Sequence, residues 1–311
     1  MTRHPQPPPE SPDPGLSAII DERRQLLNVA YRLLGSLVEA EDVVQETYTR
    51  WYARSVAERD SIENPAAWLT RVASRICLDQ LRSARVRRER YVGAWVPEPL
   101  PGDVEWQGGP AGAAAVDPAD RITLDESVSM AFLVVLESMT PAERVTFVLH
   151  DVFGYAFPEV AEIVGRSAAA CRQLAVSARR RVRTAQVPTA PSGRQAGLVK
   201  DFKRAWEAKD IRGLIGLLDP DATAVADGGG RAAAALLPVE GSEQIAHALL
   251  EISGRVPDLQ LHERTVNGQP GLVAQVHGVT VSVMAFDVVG DRIRHIWTIR
   301  NPDKLRPWAT H

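Results

Sequence analysis

Thr140 to Arg183 reads TPAERVTFVLHDVFGYAFPEVAEIVGRSAAACRQLAVSARRRVR, and its punctuation is that of helices joined by a tight turn. Thr140 and Glu143 have capping-box spacing ahead of an apolar helix that carries Val145, Phe147, Val148 and Leu149. Phe157 to Val164 is short and apolar on one side. Gly165 supplies the turn, and Ser167 is placed to cap the next helix. From Arg166 to Arg183 there are six arginines and no acidic residue. A basic helix behind a short helix and a glycine turn is a helix-turn-helix, whose second helix enters the major groove of DNA. Arg172 and Gln173, near its start, are the side chains best equipped for base edges, because arginine pairs bidentately with guanine and glutamine with adenine. Arg166 and Ser167 stand at the helix entrance. Arg179 and Arg180, with Arg181 and Arg183, are placed for phosphates, and Ala168 to Ala170 offer only methyl groups.

Upstream, Ala40 to Tyr52 reads AEDVVQETYTRWY. Ala40, Val43, Val44, Thr47 and Trp51 recur at helical spacing and form a buried stripe, while Asp42, Gln45, Glu46 and Thr49 line an acidic and amide face. After ENPAAWLT, where Asn64 can cap and Pro65 can take the first helical position, Leu69, Val72, Ala73 and Ile76 mark one side of a long helix. The other side is basic: Arg71, Arg75, Arg82 and Arg85 share an arc that Leu78 interrupts, and Arg87, Arg88 and Arg90 come next. Such a row fits a phosphate backbone, since each arginine that neutralises a phosphate releases condensed counterions without reading sequence.

The 311 residues leave room for two or three domains, and a hydrophobic fraction of 45% is ordinary for globular proteins. With a net charge of -3, DNA binding has to rest on local clustering of arginine rather than on overall charge. Cys77 and Cys171 have no metal-like spacing and read as two reduced core thiols. The proline-rich first fifteen residues lack an apolar signal core and are expected to be disordered; no run is long enough to span a bilayer, so a cytoplasmic protein is expected. Gly93 to Pro118, containing WVPEPLPGDVEWQGGPAGAAAVDP, is a proline- and glycine-rich linker. Its Trp95 and Trp106 gain nothing from exposure, so part of this linker is expected either to dock on another surface or to pack locally against the helical unit before it. VPTAPSG at Val187 to Gly193 is a second, shorter linker.

Beyond Ala196 the pattern changes. Leu198 to Ala208, Ile211 to Leu218 and Gly241 to Ile252 read as helices. Leu272 to His277, Val279 to Val288 and the alternation Ile293, His295, Trp297, Ile299 read as strands, with Gly290 and Asp291 turning between the last two. Helices followed by a meander indicate an α+β domain. Asp219, Asp221, His247, His262, His277 and His295 are the residues that could move protons there, but no spacing assembles them into a catalytic set.

The order of these parts, an acidic helix, an arginine-faced helix, a linker and a helix-turn-helix, resembles the sigma-2 and sigma-4 layout of group 4 (extracytoplasmic-function) sigma factors over residues 16 to 187. The last third is similar to the SnoaL-like, NTF2-like cone fold. WVPEP at Trp95 to Pro99, DGGGR at Asp227 to Arg231 and NPDKL at Asn301 to Leu305 look like the signature motifs of the ECF41 type, whose sigma domains carry a fused SnoaL-like domain. This resemblance implies a tail (1–15), a sigma-2 domain (16–92), a linker (93–118), a sigma-4 domain (119–187), a linker (188–195) and a SnoaL-like regulatory domain (196–311). It implies core RNA polymerase and promoter DNA as partners. Asp42, Gln45 and Glu46 would engage the clamp helices of the largest polymerase subunit. Arg71, Arg75, Arg82 and Arg85 would hold the minus-10 region, the loop from Ser55 to Asn64 would receive a flipped base, and Arg166, Ser167, Arg172, Gln173, Arg179 and Arg180 would serve the minus-35 element. Regulation in cis would run through Trp95, Pro97, Asp227, Gly228, Gly229, Gly230, Arg231, Asn301, Pro302, Asp303 and Lys304, with no separate anti-sigma factor and no membrane. A concave cone further implies a small-molecule pocket in the C-terminal domain; no cofactor, metal or catalytic residue is expected.

A rival reading is an operator-binding helix-turn-helix regulator with a small-molecule sensor domain, which would act without polymerase. Another is a cyclase or hydrolase fused to a DNA-binding unit. Under the sigma-factor reading, Arg172→Ala is expected to weaken binding of a minus-35 duplex by roughly 1 to 3 kcal/mol and to relax base preference at one position. A binding titration with unchanged affinity and preference excludes that role.

Overall fold

A computed structural model describes residues 14–88, 91–102, 128–185 and 192–309. The expectations for the first thirteen residues, for Arg90 and for 103–127 with Trp106 lie outside these described residues. Four helices come first: α1 (Pro14–Leu34), α2 (Leu37–Tyr52), α3 (Val56–Asp60) and α4 (Pro65–Arg88). After the linker segment come α5 (Met130–Glu137), α6 (Pro141–Phe147, running into a π-turn at Val148–Val152), α7 (Phe157–Val164) and α8 (Ala168–Thr184). Local chemistry sets their ends. Ser36 caps α2, Asn64 Oδ1 accepts from Ala67 N at 3.0 Å to start α4, and Thr140 and Glu143 form the capping box of α6. Gly165 closes α7 with φ 71°, a left-handed value that suits glycine, and Ser167 caps α8.

These two helical units share one apolar core. Leu26, Val29, Leu33, Val43 and Leu69 from the first are continuous with Phe132, Leu136, Phe147 and Leu149 from the second. Arg144 bolts them together. It is 2% exposed, donates to Leu33 O at 2.9 Å and pairs with Glu137 at 2.6 Å. Burial pulls its guanidinium down to about 9.

The C-terminal domain begins with α9 (Ser192–Glu207), which starts inside the interval expected as linker, and α10 (Ile211–Leu217). Its sheet has the order β2-β1-β6-β5-β4-β3, from β1 (Leu218–Asp227), β2 (Val239–Glu240), β3 (Leu259–Val266), β4 (Gln269–Val276), β5 (Val279–Val289) and β6 (Arg292–Ile299). α11 (Ser242–Arg255) crosses between β2 and β3. The β1–β6 pair is parallel, and the other described pairs are antiparallel. β5 is buried on both faces from Ser282 to Val288, and its sequence VTVSVMAFDVV is accordingly rich in apolar residues. His277, expected on a strand, stands instead with Gly278 in the β4–β5 turn, at φ 51° and 78°.

One face of the sheet lies under α9, α10 and α11. Phe202, Trp206, Met284, Phe286 and Ile296 fill that space, with Phe202 edge-on to Phe286 at 5.3 Å. The other face joins the domain to the rest of the chain: Val266, Val273, Val283, Ala285 and Trp297 meet Met130 of α5, Val96 of the linker, and Leu305 and Trp308 from the C-terminal segment. Asp287 is buried near α5 on this face, and desolvation pushes its carboxyl up to about 6.

Arg144→Ala removes the buried guanidinium that meets Glu137 and the Leu33 carbonyl. The expected loss is about 3 kcal/mol of unfolding free energy; Arg144→Met removes the same charge but keeps much of the side-chain volume, so it is expected to lose less than Arg144→Ala without returning to the original stability. Denaturant melts of the three proteins check this.

Candidate DNA-facing surfaces and the interdomain joint

Burial of Ala40, Val43, Val44 and Thr47 turns the opposite side of α2 outward, so Asp42, Gln45 and Glu46 are exposed. Glu46 pairs with Arg50 at 2.8 Å, an exposed bridge of little energetic weight. The surface is available to a partner.

The arginine side of α4 is partly covered. Arg71 pairs with the Glu162 carboxylate of α7 at 2.9 Å, and Arg75 donates to Glu162 O at 2.8 Å. Leu78, which interrupts the arginine row in sequence, is buried in the core shared with the helix-turn-helix. The interruption thus marks a docking face. Arg82 remains exposed beside Asp79 at 3.2 Å, and the Arg85 side chain lies outside the described residues.

On α8 the surface divides. Arg166, Arg172, Gln173 and Arg180 are exposed, with Arg172 over the Phe157 ring at 5.4 Å. Ser167 uses its hydroxyl on Ala170 N, and Arg179 pairs with buried Asp151 at 2.5 Å. Those two side chains hold the motif together.

A further surface escaped the sequence reading. Tyr52, whose 62% exposure is unusual for an aromatic ring, stacks on Tyr48, and Arg59 lies 5.6 Å over it. Beside it Trp51 meets Trp68 at 5.2 Å, and Arg54 lies 5.0 Å over Trp68. The Tyr48 and Tyr52 spacing of four residues was a legible signal, since it places both rings on one side of α2 at the mouth of the Ser55–Asn64 loop.

The three motifs meet at one joint. Asp227, fully buried at the end of β1, accepts from Tyr91 Oη at 2.6 Å, from Val96 N at 3.0 Å and from Lys304 Nζ at 2.7 Å. The Lys304 ammonium also donates to Val96 O and sits 4.1 Å from the centre of the Trp95 ring. Burial and the neighbouring Asp227 push the Tyr91 hydroxyl up. Asn301 donates to Tyr91 Oη at 2.8 Å, and a Cβ on Gly229 would lie 2.3 Å from the Asn301 amide, so only glycine fits there. Arg231 bridges to Asp303 at 2.5 Å and holds that carboxyl below its usual range. Gly228, Gly230 and Pro302 complete the two turns; a side chain on Gly228 would strike the Ala232 carbonyl.

Glu98, the acidic residue of WVPEP, was not singled out by sequence. Its carboxylate accepts from Leu37 N at 2.8 Å and Ser36 Oγ at 3.2 Å, which places it at the amino terminus of α2. Desolvation raises its pKa, and these donors oppose the rise. The flanking residues are tied as well: Tyr31 Oη donates to Glu98 O at 2.6 Å, Trp308 Nε1 to Pro99 O at 2.9 Å, and Leu100 N to Asn267 Oδ1 at 3.0 Å. Trp95 packs on Gly35, where a Cβ would sit 2.9 Å from its ring. Pro97 packs on the same glycine.

Two family models match this architecture: Sigma-70 region 2 over residues 19–87, which holds α2 to α4, and Sigma-70, region 4 over residues 129–182, which holds the helix-turn-helix. The ECF RNA polymerase sigma factor SigJ of Mycobacterium tuberculosis strain H37Rv is 39% identical over 298 residues, covering 91% of this chain and 90% of the relative. The chain belongs to the extracytoplasmic-function RNA polymerase sigma factors. A probable SigI from Mycobacterium tuberculosis strain CDC 1551 is 34% identical over 95% of this chain and 96% of its own length. The crystal structure of Mycobacterium tuberculosis SigJ superposes with a TM-score of 0.72 at 35% identity, covering 94% of this chain and 98% of that one. Because the region 2 match takes in the half that a plain operator-binding regulator lacks, that rival reading is not favoured. The sigma factor is not an enzyme. His277 is exposed in a turn, and His295, 4.0 Å from Asp287, lies on the face covered by α5. Among the described residues no cluster suits a metal ion, and no helix is long and apolar enough to cross a membrane.

In this sigma factor Asp227→Ala removes the carboxylate that meets the buried Lys304 ammonium. It is expected to cost about 3 to 5 kcal/mol in the stability of the joint, while Asp227→Ala combined with Lys304→Met recovers more than half. Denaturant unfolding with Trp fluorescence reads the difference; equal losses in the single and double variants exclude the coupling.

Proposed function

We propose that this sigma factor carries core RNA polymerase to promoters through the exposed face of α2. In this reading Asp42, Gln45 and Glu46 contact polymerase, α4 holds the minus-10 element with Arg71, Arg75, Arg82 and Arg85, and α8 reads the minus-35 element with Arg172 and Gln173. Tyr52 and Trp68, with Arg54 and Arg59 over their rings, supply a stacking platform for bases that leave the duplex. The C-terminal domain modulates activity in cis by gripping the linker between the two DNA-binding units.

The observation that carries this reading is the occupancy of Arg71 and Arg75. Glu162 offers them a carboxylate and a carbonyl, the same acceptor chemistry as phosphate oxygens, while the acidic face of α2 stays exposed. In this reading the described arrangement leaves the acidic face of α2 open while two of the four minus-10 arginines are engaged. Promoter binding requires α7 to leave α4, and polymerase favours that only to the extent that it binds the separated arrangement better.

Glu162→Lys removes the carboxylate that Arg71 meets and repels Arg71 and Arg75, while the backbone carbonyl that Arg75 uses is kept. Because the original pair is partly exposed, the expected gain in affinity of the protein alone for a minus-10 duplex is modest, roughly two- to fivefold. Fluorescence anisotropy at fixed salt measures it, with small-angle scattering reporting a larger radius of gyration. Unchanged affinity in a protein that has opened would remove Glu162 as the competitor.

A further inference from the structure

A cavity of about 440 Å³ opens where the first turn of α2, the linker and the segment after β6 converge. Val38 and Glu39 form its α2 wall, Trp95 its linker wall, and Asp303 and Arg306 the wall of the C-terminal domain. Neither polymerase binding by Asp42, Gln45 and Glu46 nor promoter binding by the arginines uses this space.

Helical geometry connects it to the acidic face of α2. Asp42 lies four residues after Val38 and three after Glu39, and Gln45 and Glu46 come at the same spacing again, so all five side chains share one side of α2. Val38 is exposed although apolar. A partner segment lying along Glu46 and Asp42 reaches the cavity mouth after one more turn, about 6 Å further on. There it meets a second wall that belongs to a different domain.

The charges at this mouth favour a basic partner. Glu39, Asp42 and Glu46 make the α2 face acidic. The two cations on the C-terminal side are already engaged, Lys304 with Asp227 at 2.7 Å and Arg306 with Asp303 at 3.0 Å. An aliphatic stem fits between Val38 and Trp95 with its cationic tip near Glu39, since both Asp303 oxygens are already held by Arg231 and Arg306; lysine and arginine bury carbon in this way while keeping the charge at a polar rim.

We infer that the polymerase-binding surface is composite: a basic segment of core polymerase lies along α2 and inserts a lysine or arginine side chain into the cavity, whose far wall the C-terminal domain supplies at Asp303 and Arg306. This inference rests on the reading of α2 as the polymerase-binding helix and adds to it a direct contact by the C-terminal domain. It also separates the two tasks of that domain, since polymerase holds it against α2 while the helix-turn-helix unit is the part that must move.

A photo-crosslinking side chain, p-benzoylphenylalanine, placed in the full-length protein at Arg306, at Asp42 or at Glu251 on the opposite side of the sheet, tests the contact with core polymerase. Positions 306 and 42 are expected to crosslink to the same polymerase subunit, and position 251 to remain silent. A crosslink from 42 with none from 306 overturns the inference and leaves the α2 reading intact; silence at both removes the α2 reading itself. Crosslinking of 306 to a second copy of the chain, or silence there with a small molecule retained in native mass spectra, assigns the cavity to self-association or to a metabolite and likewise overturns it. The chemistry is read separately from Val38→Lys and Val38→Glu, both at an exposed position. Lysine is expected to weaken core binding about fivefold or more at low salt and glutamate to strengthen it; the opposite signs exclude a basic insert.

Discussion

The Lys304 ammonium, held away from water between Asp227 and the Val96 carbonyl, ties the C-terminal segment, the end of β1 and the linker into one unit. A buried charge pair of this kind contributes less to net stability than its geometry suggests, because both ions lose hydration when they meet. Its weight lies in cooperativity. Each segment supplies a partner to the others, so their contacts reinforce one another. Tyr91, Asn301 and Trp95 surround the pair.

The second seam, between the two helical units, is built differently. Arg144 is buried in it, but Arg71 and Arg75 reach Glu162 near solvent, where salt and hydration compete with the contact. This seam therefore has a dry interior, the shared apolar core around Arg144, and a wet rim where α7 meets α4. The linker contact with α2, through Glu98 at the helix terminus, is separate from that rim.

Much of this was legible because it is local. The caps at Asn64, Thr140 and Ser167, the left-handed Gly165 and the apolar stripe of α2 depend on neighbours within a few residues, and each appears where its sequence spacing places it. The docked Trp95 also followed from its chemistry. What escaped was non-local. Glu98 serves a helix sixty residues upstream, and no pattern around it announces that partner. β3 escaped because it is an edge strand whose LQLHERTV carries charges toward solvent, and β1 because Asp219, Pro220 and Asp221 open it like a loop. Phe202, Trp206 and Phe286 fill the space between the sheet and α9 to α11, core residues whose packing direction sequence does not specify.

The parallel pairing of β1 with β6 has a mechanical consequence. Neighbouring parallel strands emerge at the same edge, and the register sets Asp227 opposite Ile299, so the motifs at the ends of the two strands are delivered side by side despite the long stretch of chain between them. Arg300 N and Asn301 N both close onto Asp227 O, at 2.7 and 2.9 Å. The joint is in effect a vernier on the sliding of two strands: a shift of one residue, roughly 3.3 Å, would carry Lys304 out of reach of its carboxylate. α11 packs on β1, so a displacement of β1 against β6 would be felt where Val96 of the linker meets Asp227.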